Sequence, residues 1–208
     1  MKLTFVADPL FEDIYNEKLL KDLKKRFGSF HHGHANLQVS SEIMGRMIDK
    51  MSQKKPRRGE VVMVIPNEQG HLWLHTKAFY PTGVYRLMTG GLELGEKPHR
   101  ALLREVAEET GFKTTINRCL AVITYILTYQ ELALPFVSYV FMTRPAQGSP
   151  QPNDPTEAIT HFQAIPVEAL PGVVRKLRSL PDEFADWGIF RAIAHEVTLS
   201  VLGDEPAS

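Results

Sequence analysis

The chain has 208 residues, and its 24 basic and 24 acidic side chains give no net charge at neutral pH. This balance excludes a global bias towards nucleic acid or an anionic membrane, and the length supports one sizeable core. A single cysteine, Cys119, excludes an intrachain disulfide framework. The amino terminus is not signal-like, and the apolar stretch 134–142 is far shorter than the roughly 20 residues of a membrane helix. We therefore expect a cytoplasmic protein without a membrane partner.

The first 57 residues are expected to form a helical extension. Apolar residues recur at helical spacing in two of its segments, which predicts two amphipathic helices. The first helix carries Leu19, Leu20, Leu23 and Phe27, and the second carries Ile43, Met44, Met47, Ile48 and Met51. Their apolar stripes need a partner, which is either the following domain or a second subunit. We expect a homodimer.

Two polar segments of the extension also carry predictions. Residues 53–58 form a basic linker, for which a solvated junction is favoured over a nucleic-acid contact. His31, His32 and His34 form a short cluster. We favour flexible surface histidines over a transition-metal site there, because no cysteine or carboxylate stands at ligand spacing.

Residues 58–208 show the alternating elements of a mixed α/β domain. The pattern predicts a strand at 61–65, a turn at 67–70 and a second strand at 71–75. Another strand is expected to carry Tyr85, Arg86 and Leu87, directly before a pair of glycines.

A fixed pattern of glycine and charged residues begins at that pair. It runs Gly90, five residues, Glu96, seven residues, Arg104-Glu105-Val106, one residue, Glu108-Glu109, one residue and Gly111-Phe112. Gly90 and Gly91 are expected to form a tight loop in which the backbone approaches a ligand closely. Pro98 is typical of a helix start, and Gly111 fits the C-cap of that helix.

Three carboxylates share one face of the predicted helix. Glu105, Glu108 and Glu109 stand at i, i+3 and i+4, whereas Leu102 and Val106 lie on an adjacent stripe that can pack on a core. Unpaired carboxylates this close repel one another, and oxygen ligands of this kind suit Mg²⁺ or Mn²⁺. A merely solvated acidic face is the alternative, which the glycines and the arginine in register disfavour.

The pattern over residues 90–112 resembles a complete Nudix box, which belongs to hydrolases that use divalent cations to cleave diphosphate linkages. The resemblance implies an α/β/α sandwich in which a mixed sheet lies between helices. It also implies that the carbonyl of Gly90 joins the metal shell and that Glu96 serves either a peripheral metal or the helix start. Arg104, flanked by carboxylates, is expected to orient them. Met88-Thr89 stands where many relatives have proline before the glycines, so we expect a less rigid loop.

Further strands and helices are predicted beyond the box. Residues 119–129 and 135–143 are rich in β-branched and aromatic side chains, which favours strands. A helix over 167–180 is expected to be interrupted near Pro171-Gly172. Apolar residues between 187 and 201 recur at the spacing of a C-terminal helix that packs on the domain.

Three residues outside the box are candidates for the site. Glu157 precedes a predicted strand, as does a loop glutamate that serves Nudix relatives as an extra metal ligand or as the general base. A solvated side chain is the alternative. Arg86 is a candidate contact to phosphate or ribose, with a surface salt bridge as the equal alternative. Tyr129 stands in a region where dinucleoside polyphosphate hydrolases of the family carry a tyrosine.

The resemblance and these residues predict a metal-dependent pyrophosphohydrolase that acts on a nucleotide-derived small molecule. Glu105, Glu108 and Glu109 would hold the cations, and Glu105 or Glu157 would activate the attacking water. ADP-ribose-like compounds or sugar nucleotides are the favoured substrates, with dinucleoside polyphosphates or nucleoside triphosphates as alternatives. The competing class is a non-catalytic nucleotide sensor, which the intact carboxylates disfavour.

Overall fold

A computed structural model describes residues 8–54 and 56–203, and in it the chain forms six α-helices and seven strands. The helices are α1 (Pro9–Ile14), α2 (Glu17–Phe27), α3 (Glu42–Asp49), α4 (Pro98–Thr110), α5 (Leu170–Arg178) and α6 (Ala185–Gly203). The strands are β1 (His31–Val39), β2 (Gly59–Val64), β3 (Leu72–Lys77), β4 (Met88–Gly91), β5 (Ile116–Tyr129), β6 (Leu132–Thr143) and β7 (Ile159–Ile165). A π-helical turn spans Lys50–Lys54, and 3₁₀ turns span Pro155–Glu157, Val167–Ala169 and Asp182–Phe184.

A five-stranded mixed sheet forms the centre of the fold, in the order β1-β5-β6-β2-β4. The strands β5 and β6 form an antiparallel hairpin, while β1 pairs with β5 and β2 pairs with β6 in parallel. At the other edge β4 runs antiparallel to β2. A second sheet pairs β3 with β7 in antiparallel orientation. The strands expected at 61–65, 71–75, 119–129 and 135–143 are confirmed as β2, β3, β5 and β6.

Alternate residues of β2 enter two hydrophobic cores on opposite faces of the central sheet. Val62 and Val64 pack on the side that includes apolar residues of α3, α5 and α6. Val61 and Met63 pack on the side that includes apolar residues of α2 and α4. All four are fully buried, as the two-residue period of a central strand requires when both faces are covered. The predicted α/β/α sandwich is confirmed.

The segment before residue 58 is built into this sandwich. Leu23 of α2 is fully buried in the core beside α4, and Met44 and Ile48 of α3 are fully buried in the opposite core. Both predicted amphipathic helices are therefore confirmed, and their apolar stripes are covered by this chain's own domain. Because that burial needs no second subunit, the homodimer stays a prediction.

The strand β1 was not predicted from the sequence. Because of this strand, the extension combines helices with a strand and is not purely helical. The strand pairs in parallel with β5 at the sheet edge. His31, His32 and His34 therefore lie in an edge strand with exposed side chains, and not in a flexible segment. Among the described residues, these histidines do not belong to the group of side chains whose ligand atoms converge. Few β-branched or aromatic residues occur in β1, so the usual strand signal is weak.

The expectation about the linker is correct only in part, and the one about a helix end was wrong. Gln53, Pro56 and Arg57 are exposed, but Arg58, at the end of the basic linker, pairs with Asp8 at 2.6 Å and donates to the carbonyl of Met51. Residue 55 of the linker lies outside the described residues. Pro171 lies in the first turn of α5, where its missing N–H costs no helical hydrogen bond, and therefore does not interrupt the helix.

The predicted C-terminal helix is confirmed as α6, and polar contacts tie it to the sheet. Arg191 pairs with Glu60 of β2 at 2.8 Å, and Nε2 of His195 accepts a hydrogen bond from the N–H of Leu87 at 2.8 Å. Burial lowers the pKa of His195 to about 3, so the imidazole stays neutral and can accept. None of the helices in the described part of the chain has the length and apolarity needed to cross a membrane.

The burial of Leu23 provides a test of the integrated extension. Leu23→Ala should reduce the free energy of unfolding by about 2–5 kcal/mol, because it leaves a cavity beneath α2. Lys18→Ala, at an exposed position of the same helix, should change it by no more than about 0.5 kcal/mol. Chemical denaturation measures both values. Equal stability of the two variants would show that α2 is not part of the domain's core.

Candidate metal and active site

A glycine allows the first acidic residue of α4 to lie directly against β4. A Cβ added to Gly90 would fall 2.0 Å from Cγ and Cδ of Glu105. The structure places Gly90 and Gly91 within β4, paired with β2, and not in the tight loop that was expected. The prediction of a less rigid loop at Met88-Thr89 was also wrong, because both residues belong to the same paired strand. Gly111, by contrast, takes the left-handed C-cap position that was predicted.

Three carboxylates converge beside this contact. Glu105, Glu109 and Glu157 each offer an oxygen atom, and these three atoms lie within 4.8 Å of one another. Glu105 and Glu109 are buried on α4, whereas Glu157 is partly buried and belongs to the 3₁₀ turn before β7. Asn153 fixes the start of this turn to α4, since its backbone N–H and side-chain amide donate to two carbonyl groups near the helix end. The fold thereby joins a loop glutamate to the box helix.

Two residues of β3, neither of them predicted from the sequence, contact the same carboxylates. Nζ of Lys77 lies 2.9 Å from Oε1 of Glu109 and 2.5 Å from Oε2 of Glu157. Nδ1 of His75 lies 3.5 Å from Oε2 of Glu109. Residues two apart on a strand share a face. The strand predicted from the sequence ended at residue 75. Extending its alternation of faces by two residues would have placed Lys77 on the same face as His75.

Burial and charge together set the protonation of the cluster. Burial raises the pKa of Glu109 to about 7, in spite of the neighbouring ammonium of Lys77. Burial also raises the pKa of Glu105 above its ordinary value, against the opposing effect of Arg104. For Glu157, burial alone would raise the pKa, but the hydrogen bond and charge of Lys77 hold it below the usual value. The buried pair on α4 thus ionises less readily than the glutamate on the turn.

Arg104 joins the remaining acidic residues of the box. Its guanidinium donates to Glu96 at 2.8 Å, Glu105 at 2.9 Å and Glu108 at 3.0 Å, and also to the carbonyl of Gly91 at 3.0 Å. The hydrogen bond from Arg104 to Glu96 is the main cause that raises the arginine's pKa, so the side chain stays charged. Glu96 binds this arginine and does not cap the helix. Glu108 is partly exposed and lies outside the group of three converging carboxylates.

Arg86 and Tyr129 have surroundings that differ from those expected. Arg86 is only 4% exposed, donates to the hydroxyl groups of Thr89 and Tyr80, and lies over the ring of Tyr80. The alternative of a surface salt bridge is therefore wrong. The ring of Tyr129 packs on Gly45 of α3, where an added Cβ would fall 2.3 Å from the ring. Substrate contacts by these two residues stay predictions.

The donor set fits a divalent cation. Three convergent carboxylate oxygens are the hard donors that Mg²⁺ and Mn²⁺ prefer. Within the described part of the chain, Oε2 of Glu109 is buried and has no hydrogen-bond partner, which is costly for a charged oxygen unless a cation or a donor approaches it. Glu105 and Glu109 are therefore residues that would hold the ion, and Glu157 offers an oxygen beside them.

The domain that carries this acidic site matches a known protein family. The NUDIX domain family model matches residues 56–188, more than half of the chain. The chain therefore belongs to the Nudix family.

Individual relatives match this chain either over a short segment or at low sequence identity. The RNA pyrophosphohydrolase of Cereibacter sphaeroides (strain KD131) is 37% identical over 68 residues, which cover 33% of this chain and 41% of the relative. The chain thus spans less than half of that curated relative. The crystal structure of the MutT protein from Methanosarcina mazei Go1 covers 73% of this chain and 99% of its own, with 18% identity and a TM-score of 0.51. An ADP-ribose pyrophosphatase from Streptococcus suis 89-1591 is less similar in structure, with 15% identity, a TM-score of 0.45 and coverage of 73% and 95%.

The contact between Gly90 and Glu105 gives a prediction for the site. Gly90→Ala should displace Glu105 and lower turnover by roughly 100-fold, because a shift of about 1 Å in an active site has that effect. Gly172→Ala in α5 is the matched control, since a Cβ there would meet no atom closer than 3.9 Å. Steady-state hydrolysis and circular dichroism compare activity and folding. A folded Gly90→Ala variant with parental turnover would contradict the assigned packing.

Proposed function

We propose that the protein is a metal-dependent pyrophosphohydrolase that cleaves the diphosphate linkage of a nucleoside diphosphate derivative. The observation that carries this proposal is the convergence of Glu105, Glu109 and Glu157 within 4.8 Å at the end of a complete Nudix box. Membership of the family supports the reaction class. ADP-ribose-like compounds and sugar nucleotides are the substrates that we favour. A cytoplasmic location and a homodimer stay predictions.

The chain's acidic residues have separate tasks in this reaction. Glu105, Glu108 and Glu109, with the carbonyl of Gly90, are the proposed holders of Mg²⁺ or Mn²⁺, and Glu96 has a peripheral part. When bound, such cations neutralise the charge of the diphosphate and of the departing phosphate. Arg104 is a positioning residue, because it bridges Glu96, Glu105 and Glu108 without leaving the helix surface.

Glu157 is the carboxylate that we propose as the general base. A base must be unprotonated, and Lys77 holds the pKa of Glu157 below its usual value. The water oxygen forms a bond to one phosphorus while the bond from that phosphorus to the bridging oxygen breaks. The water proton passes to Glu157, and the bridging oxygen leaves with the other phosphate. Glu105 is the alternative base, but its carboxylate already accepts a hydrogen bond from Arg104, and its side chain packs against Gly90.

A substrate screen with Mg²⁺ and Mn²⁺ tests the reaction and the substrate class together. ADP-ribose, sugar nucleotides, dinucleoside polyphosphates and nucleoside triphosphates are incubated separately, and phosphate-bearing products are identified by mass. An RNA oligonucleotide with a 5′-triphosphate is included because a relative is named as an RNA pyrophosphohydrolase. We expect cleavage at the diphosphate bridge of an ADP-ribose-like compound or a sugar nucleotide, and no turnover in excess chelator. Tight nucleotide binding without turnover under any metal would instead identify a sensor.

Neutral variants of the two candidate bases distinguish their tasks. Glu157→Gln should lower turnover by about 10²–10⁴-fold while metal and substrate still bind, because it removes only the proton acceptor. Glu105→Gln should weaken metal binding and turnover together. Glu168→Gln, at an exposed position, is the control and should leave both unchanged. Nearly full turnover of Glu157→Gln at saturating substrate and metal would assign the role of base to Glu105.

A further inference from the structure

Lys77 places a positive charge between the proposed metal ligand Glu109 and the proposed base Glu157. Its ammonium bridges Glu109 and Glu157, at 2.9 and 2.5 Å, and the residue is only 8% exposed. A buried ammonium needs such partners, because it loses most of its hydration. The carboxylates benefit equally, because the ammonium offsets their mutual repulsion.

The two cations of the site are held very differently. Arg104 makes four contacts at the edge of the cluster, with three carboxylates and a carbonyl. Among the described residues, the side chain of Lys77 bonds only to Glu109 and Glu157, through the end of a flexible stem, and both are among the three carboxylates whose oxygens converge. Arg104 can therefore stay in place while a metal ion binds, whereas the ammonium of Lys77 competes for the same oxygens.

The backbone around Lys77 also permits the side chain to move. Lys77 is the last residue of β3, and the pairing register with β7 shifts between Thr76 and Lys77. The chain then enters a turn in which Ala78 and Phe79 are exposed. The ammonium can consequently leave the carboxylates without breaking a regular stretch of strand pairing.

We propose that Lys77 is the built-in counter-ion of the Glu109–Glu157 pair and that a divalent cation displaces it on binding. This inference rests on the proposed function, since it uses the metal ligand Glu109 and the base Glu157 assigned there. Lys77 stabilises the metal-free protein and lowers the metal affinity at the same time. A purely structural salt bridge would stabilise both states equally and leave the affinity unchanged.

Calorimetric titration of the full chain with Mn²⁺ tests this displacement. Lys77→Met and Lys77→Gln should bind Mn²⁺ about tenfold more tightly than the parent, because a like charge within about 4–6 Å changes such equilibria by one or more powers of ten. Lys77→Arg keeps the cation and should not bind more tightly than the parent. Lys113→Met removes an exposed lysine and should leave the affinity unchanged, since solvent screens its charge.

Thermal unfolding supplies a second readout that does not depend on catalysis. Without metal, Lys77→Gln should melt at a lower temperature than the parent, and saturating Mn²⁺ should narrow that difference. Parent protein that binds Mn²⁺ together with Lys77 variants that bind no more tightly would overturn the inference and leave the proposed function standing. Parent protein that binds no Mn²⁺ would overturn both.

Discussion

Carboxylates buried side by side are stable only if positive charge lies among them, and this constraint governs the site. Three such groups converge within 4.8 Å, two of them buried on one helix. Lys77 supplies compensating charge to Glu109, and Arg104 supplies it to Glu105. A divalent cation satisfies the same demand more completely, because it offers a double charge to oxygens that are already assembled. A divalent cation would therefore both compensate the buried carboxylates and supply the positive charge that diphosphate cleavage needs.

The fold supplies these charges from three separate segments. The box helix α4 provides Glu105 and Glu109, and it can approach β4 because Gly90 has no side chain. Glu157 reaches the helix on a turn that hydrogen-bonds to the end of α4. His75 and Lys77 of β3 contact Glu109, and Lys77 also contacts Glu157. The sandwich thus fixes carboxylates that are distant in sequence without relying on a flexible loop.

The sequence predicted those parts of the site that depend on local geometry. Helical periodicity alone placed Glu105 and Glu109 on one face, and the family resemblance directed attention to Glu157. Lys77 and His75 were missed, because their contacts depend on how the β3–β7 sheet lies against α4 and no local pattern encodes that arrangement. β1 was missed because it has few residues of high strand propensity and gains its partners from the parallel register with β5. Gly90 was assigned to a loop because glycine often marks an unusual backbone conformation. In the structure the absence of a side chain matters instead, since it leaves room for Glu105.

The central claim is that the site where Glu105, Glu109 and Glu157 converge binds a divalent cation. Anomalous diffraction from crystals grown with Mn²⁺ tests it most directly, because the signal locates the ion without any assumption about the substrate. We expect an anomalous peak among these three glutamates, bonded to oxygens of Glu105 and Glu109, with the ammonium of Lys77 moved away from Glu109 and Glu157. A peak at the edge-strand histidines His31, His32 and His34, or no peak among the three carboxylates, would contradict it.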